Sequence, residues 1–595
     1  MGTPRTRSGL GRSTYAPAVL GDGEIHVVAR HADGTVTEVT PTSPGPVRLG
    51  PLVVDVAEAP EGLAWSVAND SAAPVTLDAV GLRWREVRGD GTPRCFLNGY
   101  QSWSPSGVRT LGIDEDPSRH PGTFPILRSA YHADPGICSP GELRSEQVAV
   151  LGAGSGRTTC VGFVGGARHE GTVRLHLDGD RHVGVEAQAW LGGTVVPPGG
   201  LRPLHPVVRR SGDDPADLLA WWAGRAGRAE AARTSGPYQV GWCSWYHYFH
   251  AVREEDLRHN LAIADRWPFA VFQLDDGYQS AIGDWLRASD RFPSGVDGAA
   301  TAIAEAGMTP GLWLAPFLAA PASDVARRHP EWFARDARTG SPLMSMFHPE
   351  WGGEMWQLDV TRPEVLAHLR DTASALRSMG YRYLKLDFTF SSSAPGVYAD
   401  REQTPAQRVR AGYEAIRAGL GDDGYLLACG CPLGSVVGVV DAMRIGPDVA
   451  PSWDADPASG LPGYEAAAPS TRGAWVATLA RSFMHRRLWA NDPDCVMLRT
   501  SRTALSPAAA RAWALAVGCS GGLALVSDDL ALLDAPARRL LDEVVALGAA
   551  ADAAAIAGTP PRCDDSLRPG GPTHLASAGR ILSILDLDHP EASLV

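Results

Sequence analysis

Over residues 1–210 the apolar positions fall in short runs, alternating or continuous, cut by Gly, Pro, Asp and Asn. Glu24 to Val28, Thr35 to Val39, Leu52 to Val56, Val75 to Leu77 and Thr172 to Leu177 are such runs. Side chains alternate faces along a strand, so short runs bounded by turn formers predict a β-sandwich over 1–210. The segment VVPPGGLRPLHPVVRRSGDDP closes that region. Asp214 then offers an N-cap carboxylate and Pro215 a first helical residue that needs no N–H partner. A linker helix is therefore predicted within 211–235.

From Tyr238 the rhythm changes. Apolar runs alternate with helical patterns such as REEDLRHNLAIADR, RPEVLAHLRDTASALRSM, TPAQRVRAGYEAIRAGL and SPAAARAWALAVG. The predicted strands are Gln239 to Trp245, Ala270 to Leu274, Thr309 to Ala315, Tyr381 to Leu386, Tyr425 to Cys429, Ala442 to Ile445, Arg487 to Ala490 and Leu523 to Val526. Parallel strands need long crossovers, so eight βα units in a row predict a (β/α)₈ TIM barrel over 236–552. The run GRILSILDL predicts a short C-terminal β region within 553–595. The fold class is thus multidomain β plus α/β.

Length agrees with that count: at about 150 residues per domain, 595 residues suggest roughly four domains or one large barrel with extras. A net charge of −13 with no Lys/Arg run argues against nucleic acid and anionic membranes as partners. The first twenty residues hold no apolar core of a secretory signal, and no apolar run is long enough to span a bilayer. Nine cysteines show no zinc-knuckle spacing, which reads as reduced thiols in a cytoplasmic protein. Among 54 basic residues, Lys385 is the only lysine. A position that keeps Lys while every other cation is Arg points to a need for a compact ammonium.

Catalytic groups of such barrels sit at the C-terminal ends of strands. Those ends here carry Trp245, Asp275, Asp276, Trp313, Lys385, Asp387, Cys429, Arg444 and Asp448. Carboxylates with aromatics beside them, and no HxH or HExxH pair, disfavour a metal-dependent hydrolase, and no nucleophile elbow or phosphate loop is present. Two carboxylates on different strands fit glycoside hydrolysis, which needs an ionised nucleophile and a second carboxyl that gives and takes a proton. Lys385 precedes Asp387 by two residues and so shares its strand face, where the ammonium is expected to hold that carboxylate ionised. Eighteen tryptophans, Trp242, Trp245, Trp285 and Trp313 among them in the barrel, add a weak sign of sugar stacking. His247 and His250 read as wall or core residues, and Asn491 to Asp494 as a capping loop at the pocket rim.

The ordered motifs GWCSWYHYF, FQLDDGYQ, GLWLAPF, YLKLDF, DAMRIGPD and LWANDPDC resemble glycoside hydrolase family 36, the α-galactosidases of a retaining clan shared with family 27. NGYQSWS (Asn98 to Ser104) resembles an N-terminal loop that this family lends to its active site. The resemblance covers about residues 90 to 530. It implies Asp387 as nucleophile and Asp448 as general acid/base. It further implies Asp275, Asp276, Trp313, Lys385, Cys429, Arg444 and Trp103 as substrate-binding residues. No metal or cofactor is implied, and the partner is a small carbohydrate; self-association is left open. The motifs depart from the common pattern at Phe388-Thr389-Phe390 and at Pro447 and Val449 beside Asp448, which bears on sugar and aglycone identity. Galactosyl transfer of the raffinose-synthase kind, α-N-acetylgalactosaminidase activity, an inactive carbohydrate-binding protein and a metal-dependent barrel enzyme stay as alternatives.

Overall fold

The computed structural model describes residues 25–41, 45–87, 91–119, 128–129, 131–152, 157–457 and 467–595. Glu24 and the first twenty residues, on which two of the expectations above rest, lie outside the described residues. The N-terminal part is two antiparallel sheets face to face. One runs in the order Val36–Val39, His26–His31, Val75–Val87, His182–Val196, Glu170–Asp178, Leu143–Glu146. The other includes Leu52–Ala59, Gly62–Asn69, Val207–Gly212, Thr158–Phe163, Val148–Gly152, Arg94–Leu97 and Gly107–Thr110. Val27, Leu82 and Val185 of the first sheet share one core with Val54, Val67 and Val161 of the second, the expected sandwich.

The two longest strands exceed what the apolar pattern showed. Val75–Val87 pairs with His182–Val196, yet only Val75 to Leu77 read as a strand run. Charged residues interrupt the pattern, and the fold neutralises them in place: Arg83 from the next strand and Arg30 from the one beyond it both clamp the buried Glu186. Burial raises the Glu186 carboxyl, but Arg30, Arg174 and Arg83 overcome that and hold it down at about 2.

Asp214 caps the next helix, Pro215–Ala229, by accepting from the N–H groups of Ala216 (2.8 Å) and Asp217 (3.4 Å). A near-closed barrel follows, with β1 (Val240–Cys243), β2 (Val271–Leu274), β3 (Thr309–Leu314), β4 (Tyr383–Leu386), β5 (Tyr425–Ala428), β6 (Ala442–Arg444), β7 (Ala490–Asp492) and β8 (Ala524–Val526). Neighbours pair in parallel from β8 through β1 to β7, and the Leu523 N–H to Asn491 carbonyl bond (2.9 Å) links β7 to β8. The seventh strand is a correction. The apolar run Arg487 to Ala490 leads into it, but the pairing residues are Ala490, Asn491 and Asp492, the last two buried polar groups that apolar patterning cannot mark.

After β3 the chain makes a small antiparallel sheet, Leu318–Ala319, Met344–His348 and Gly353–Gln357, which the sequence reading did not foresee. It carries His348 and Trp351 over the strand ends. A last three-stranded sheet, His574–Ser577, Arg580–Ile584 and Ala592–Leu594, buries Leu575, Leu582 and Ile584 in the barrel's core cluster. Arg562 ties this region to Asp214 and Asp217 at the linker helix. No helix among the described residues is long and apolar enough to cross a membrane.

Candidate active site

Asp387 stands one residue past β4, where its N–H donates to the Leu314 carbonyl at the end of β3 (2.8 Å). Its Oδ2 accepts the Trp313 indole N–H (3.0 Å) and its Oδ1 the Phe388 N–H (2.8 Å). Phe388 makes that bond from the left-handed region (φ 55°), a strained place for an aromatic residue and a mark of a functional turn. Gly430, just past β5, is forced by close approach: a Cβ there would sit 2.9 Å from Asp387 Oδ1, from the Phe388 nitrogen and from the Trp103 ring. Cys429 is fully buried against Trp103 and Phe390, and burial pushes its thiol up.

Lys385 does not touch Asp387 directly. Its Nζ bonds Asp275 Oδ2 at 3.0 Å, a cross-strand partner that i, i+2 reasoning along one strand could not see. The ammonium still acts on Asp387 through space. Burial raises that carboxyl, Lys385 opposes the rise, and the Asp448 charge adds to it, leaving Asp387 above the ordinary value.

Asp448 lies beyond β6, past Gly446 and Pro447, with 33% of its side chain exposed. Arg444, fully buried, spends its three nitrogens on three carboxylates: Nη1 on Asp448 (3.0 Å), Nε on Asp492 (3.1 Å) and Nη2 on Asp494 (2.8 Å). Such a guanidinium orients Asp448 and leaves one carboxyl oxygen of that residue unclaimed by it. Asp494 is anchored in turn by the Tyr246 hydroxyl and by the N–H groups of Val449 (2.9 Å) and Cys495 (2.7 Å). Burial pushes Asp494 up to about 6 against the pull of Arg444. Asp492 and Asp494 thus form the support of Asp448 and not a rim. Their signal in the sequence was an acidic pair following a predicted strand.

Asp275 and Asp276 follow β2. Asp276 Oδ2 accepts from Trp351 Nε1 (2.8 Å) and pairs with His250 Nδ1 (3.0 Å), while Gln279 takes its Oδ1. His250 and Trp351 are the residues that sequence reasoning missed here; His250 read as a wall or core residue, whereas it serves a carboxylate. His348 stacks on Trp351 (4.2 Å), and Trp351 meets Trp313 (5.9 Å) and Phe388 (4.9 Å), an aromatic wall beside the carboxylates. Trp242 and Trp285 are core, and Asp528 is spent on Arg499.

Trp103 arrives from the N-terminal sandwich. Its ring lies edge-on to Phe388 (4.9 Å) and Phe390 (5.9 Å). The loop Asn98–Ser104 is held by Arg481, which is fully buried and has no carboxylate partner among the described residues. Its guanidinium donates to the carbonyls of Ser102 (2.9 Å), Ser104 (3.1 Å) and Gln101 (3.4 Å), to Asn98 Oδ1 (3.2 Å), and to the Ile445 carbonyl of the barrel (2.8 Å). Burial alone brings the Arg481 guanidinium down to about 9. Its signal in the sequence was one cation in an otherwise apolar stretch.

All nine predicted site residues, from five strand ends and one loop, therefore belong to one contiguous network of contacts and charges. Residues 242–414 match the Melibiase family model. The α-galactosidase TtGalA of Thermus thermophilus, solved with p-nitrophenyl α-D-galactopyranoside, superposes with a TM-score of 0.68 at 26% identity, over 91% of this chain and all of that one. The chain is similar to glycoside hydrolase family 36. The same Thermus enzyme solved with stachyose matches at 27% identity and a TM-score of 0.64, over 84% of this chain and 98% of that one. Alpha-galactosidase AgaA of Geobacillus stearothermophilus is 26% identical over 28% of this chain, and the match spans 24% of that relative. A galactosaminidase of Flavonifractor plautii that acts on A type blood α-D-galactosamine is 40% identical over 67 residues, 11% of this chain and 6% of that one. The matched stretches thus span about a quarter or less of these curated relatives.

Proposed function

We propose that the protein is a retaining, exo-acting glycoside hydrolase that cleaves terminal α-D-galactosides. The observation that carries this reading is the pairing of two carboxylates with unlike surroundings. Asp387 is buried, fixed by two N–H donors and flanked by a cation, as a nucleophile must be. Asp448 is partly exposed and oriented by Arg444, and it takes the general acid/base role.

In the first step Asp387 attacks the anomeric carbon while Asp448 protonates the departing glycosidic oxygen, giving a covalent glycosyl-enzyme. Asp448 then deprotonates a water that releases the sugar with retained configuration. Asp276, steered by His250 and Trp351, and the Lys385–Asp275 pair are the groups assigned to the sugar hydroxyls, with the Trp103, Trp313 and Trp351 faces packing the ring. Arg444 acts by placing Asp448. The likeness to the Thermus enzyme, over nearly all of both chains, supports the galactoside assignment.

Hydrolysis of an aryl α-galactoside is expected for the wild type and is expected to fall by at least about 1,000-fold in Asp387→Asn. The first galactose released, followed by NMR, is expected as the α-anomer; a β-anomer means inversion and removes the double displacement. The match to the Flavonifractor enzyme makes α-N-acetylgalactosaminide the second substrate to assay. Loss of activity on prompt addition of a chelator would favour the metal-dependent alternative instead.

A further inference from the structure

Away from the barrel, the chain after Gly107–Thr110 and the chain before Leu143–Glu146 bring Asp116, His132 and Cys138 together. One donor atom of each lies within 4.8 Å of the others, and all three residues are buried. We propose that Asp116, His132 and Cys138 bind one Zn²⁺ as a structural site of the N-terminal sandwich.

The donor set selects the metal. A carboxylate, an imidazole and a thiolate suit borderline-soft Zn²⁺, whereas Mg²⁺ and Ca²⁺ take oxygen ligands alone. His132 is already oriented as a ligand. Its Nδ1 faces Glu146 Oε1 at 3.1 Å, and Glu146 is itself held by the Thr172 hydroxyl (3.1 Å). A carboxylate on one ring nitrogen fixes the tautomer and turns the other toward the metal. Nε2 accordingly points at Asp116, 2.9 Å from Oδ1 and 3.1 Å from Oδ2. The Ser118 hydroxyl lies 2.6 Å from Asp116 Oδ1 and 3.4 Å from the Cys138 sulfur.

Binding displaces to solvent the protons that the Cys138 sulfur and the His132 Nε2 otherwise carry. The sequence conceals the site because its ligands follow no knuckle spacing. It lies next to the loop that reaches the barrel: the Glu146 N–H donates to the Asn98 carbonyl (2.8 Å), and Asn98 Nδ2 to the Glu146 carbonyl (3.0 Å). The metal would therefore brace the base of the loop that carries Trp103. This inference does not rest on the proposed hydrolysis.

The test begins with the wild-type full chain, stripped by chelator under mild denaturation, refolded, and given Zn²⁺ or Co²⁺. About one zinc per chain is expected by plasma mass spectrometry, and Co²⁺ is expected to give a near-ultraviolet thiolate-to-metal charge-transfer band. Cys138→Ser should abolish that band, and His132→Gln should lose the zinc. A wild type that holds no zinc above a metal-free control protein, or a Co²⁺ adduct without the thiolate band, overturns the proposal. So does full zinc retention in both variants. The wild-type arms do not depend on either variant folding.

Discussion

Replacing Arg481 by Met removes a buried cation that binds five acceptors, four of them on the loop that carries Trp103. Three of those bonds, to Ser102, Ser104 and Ile445, are 2.8–3.1 Å long. Leaving three buried carbonyls unpaired costs ~1–3 kcal/mol each. Against this, the variant is freed of the desolvation that brings the guanidinium from 12.5 down to about 9, about 5 kcal/mol. The two effects largely cancel in global stability, where a change within about 4 kcal/mol is expected. They do not cancel locally, because the loop loses its tie to the barrel while the saving is not confined to the loop. Release of Trp103 should raise KM for an aryl α-galactoside by about 10- to 100-fold with a smaller effect on kcat. Arg481→Lys, which keeps the charge but reaches fewer carbonyls, should recover part of the loss. A double-mutant cycle with Trp103→Ala is the decisive assay. If Arg481 works through Trp103, Arg481→Met adds little once Trp103 is gone. Additive losses, or an unchanged KM in the single variant, would refute the reasoning.

Gly430→Ala places a methyl 2.9 Å from Asp387 Oδ1, the Phe388 nitrogen and Trp103, so kcat should fall at least about 10-fold while far-ultraviolet circular dichroism stays the same; wild-type kcat would show that the turn yields freely. Glu186, held at about 2 against an ordinary 4.5, stabilises the fold above pH 4.5 by about 3 kcal/mol, a contribution lost as pH falls toward 2. The stability deficit of Glu186→Gln in urea melts should therefore be present at pH 6 and shrink at pH 3, and a deficit independent of pH would contradict the assignment.

Much of this protein was legible along the chain because barrel strands are buried on both faces and read as apolar runs, with helices of period 3.6 between them. The same alternation exposed the sandwich, and Asp214 with Pro215 marked the linker helix through local capping chemistry alone. The strand-end rule then sufficed to list Asp387, Asp448, Asp275 and Asp276, since a barrel leaves those ends on one face. Reading failed where a residue's partner is distant in sequence. Lys385 points to Asp275 and not to Asp387; Arg444 serves Asp492 and Asp494 besides Asp448; His250 and Trp351 converge on Asp276 from different insertions. The charged strands around Glu186 and the polar seventh strand likewise broke the apolar pattern because their charges and amides are neutralised only across strands. Local spacing and periodicity are set by the backbone over a few residues and so determined which elements form and which carboxylates reach the barrel mouth. Which cation meets which carboxylate, and which loop closes over them, depended on contacts between residues as far apart as Arg481 and Asn98, and that only the folded chain decided.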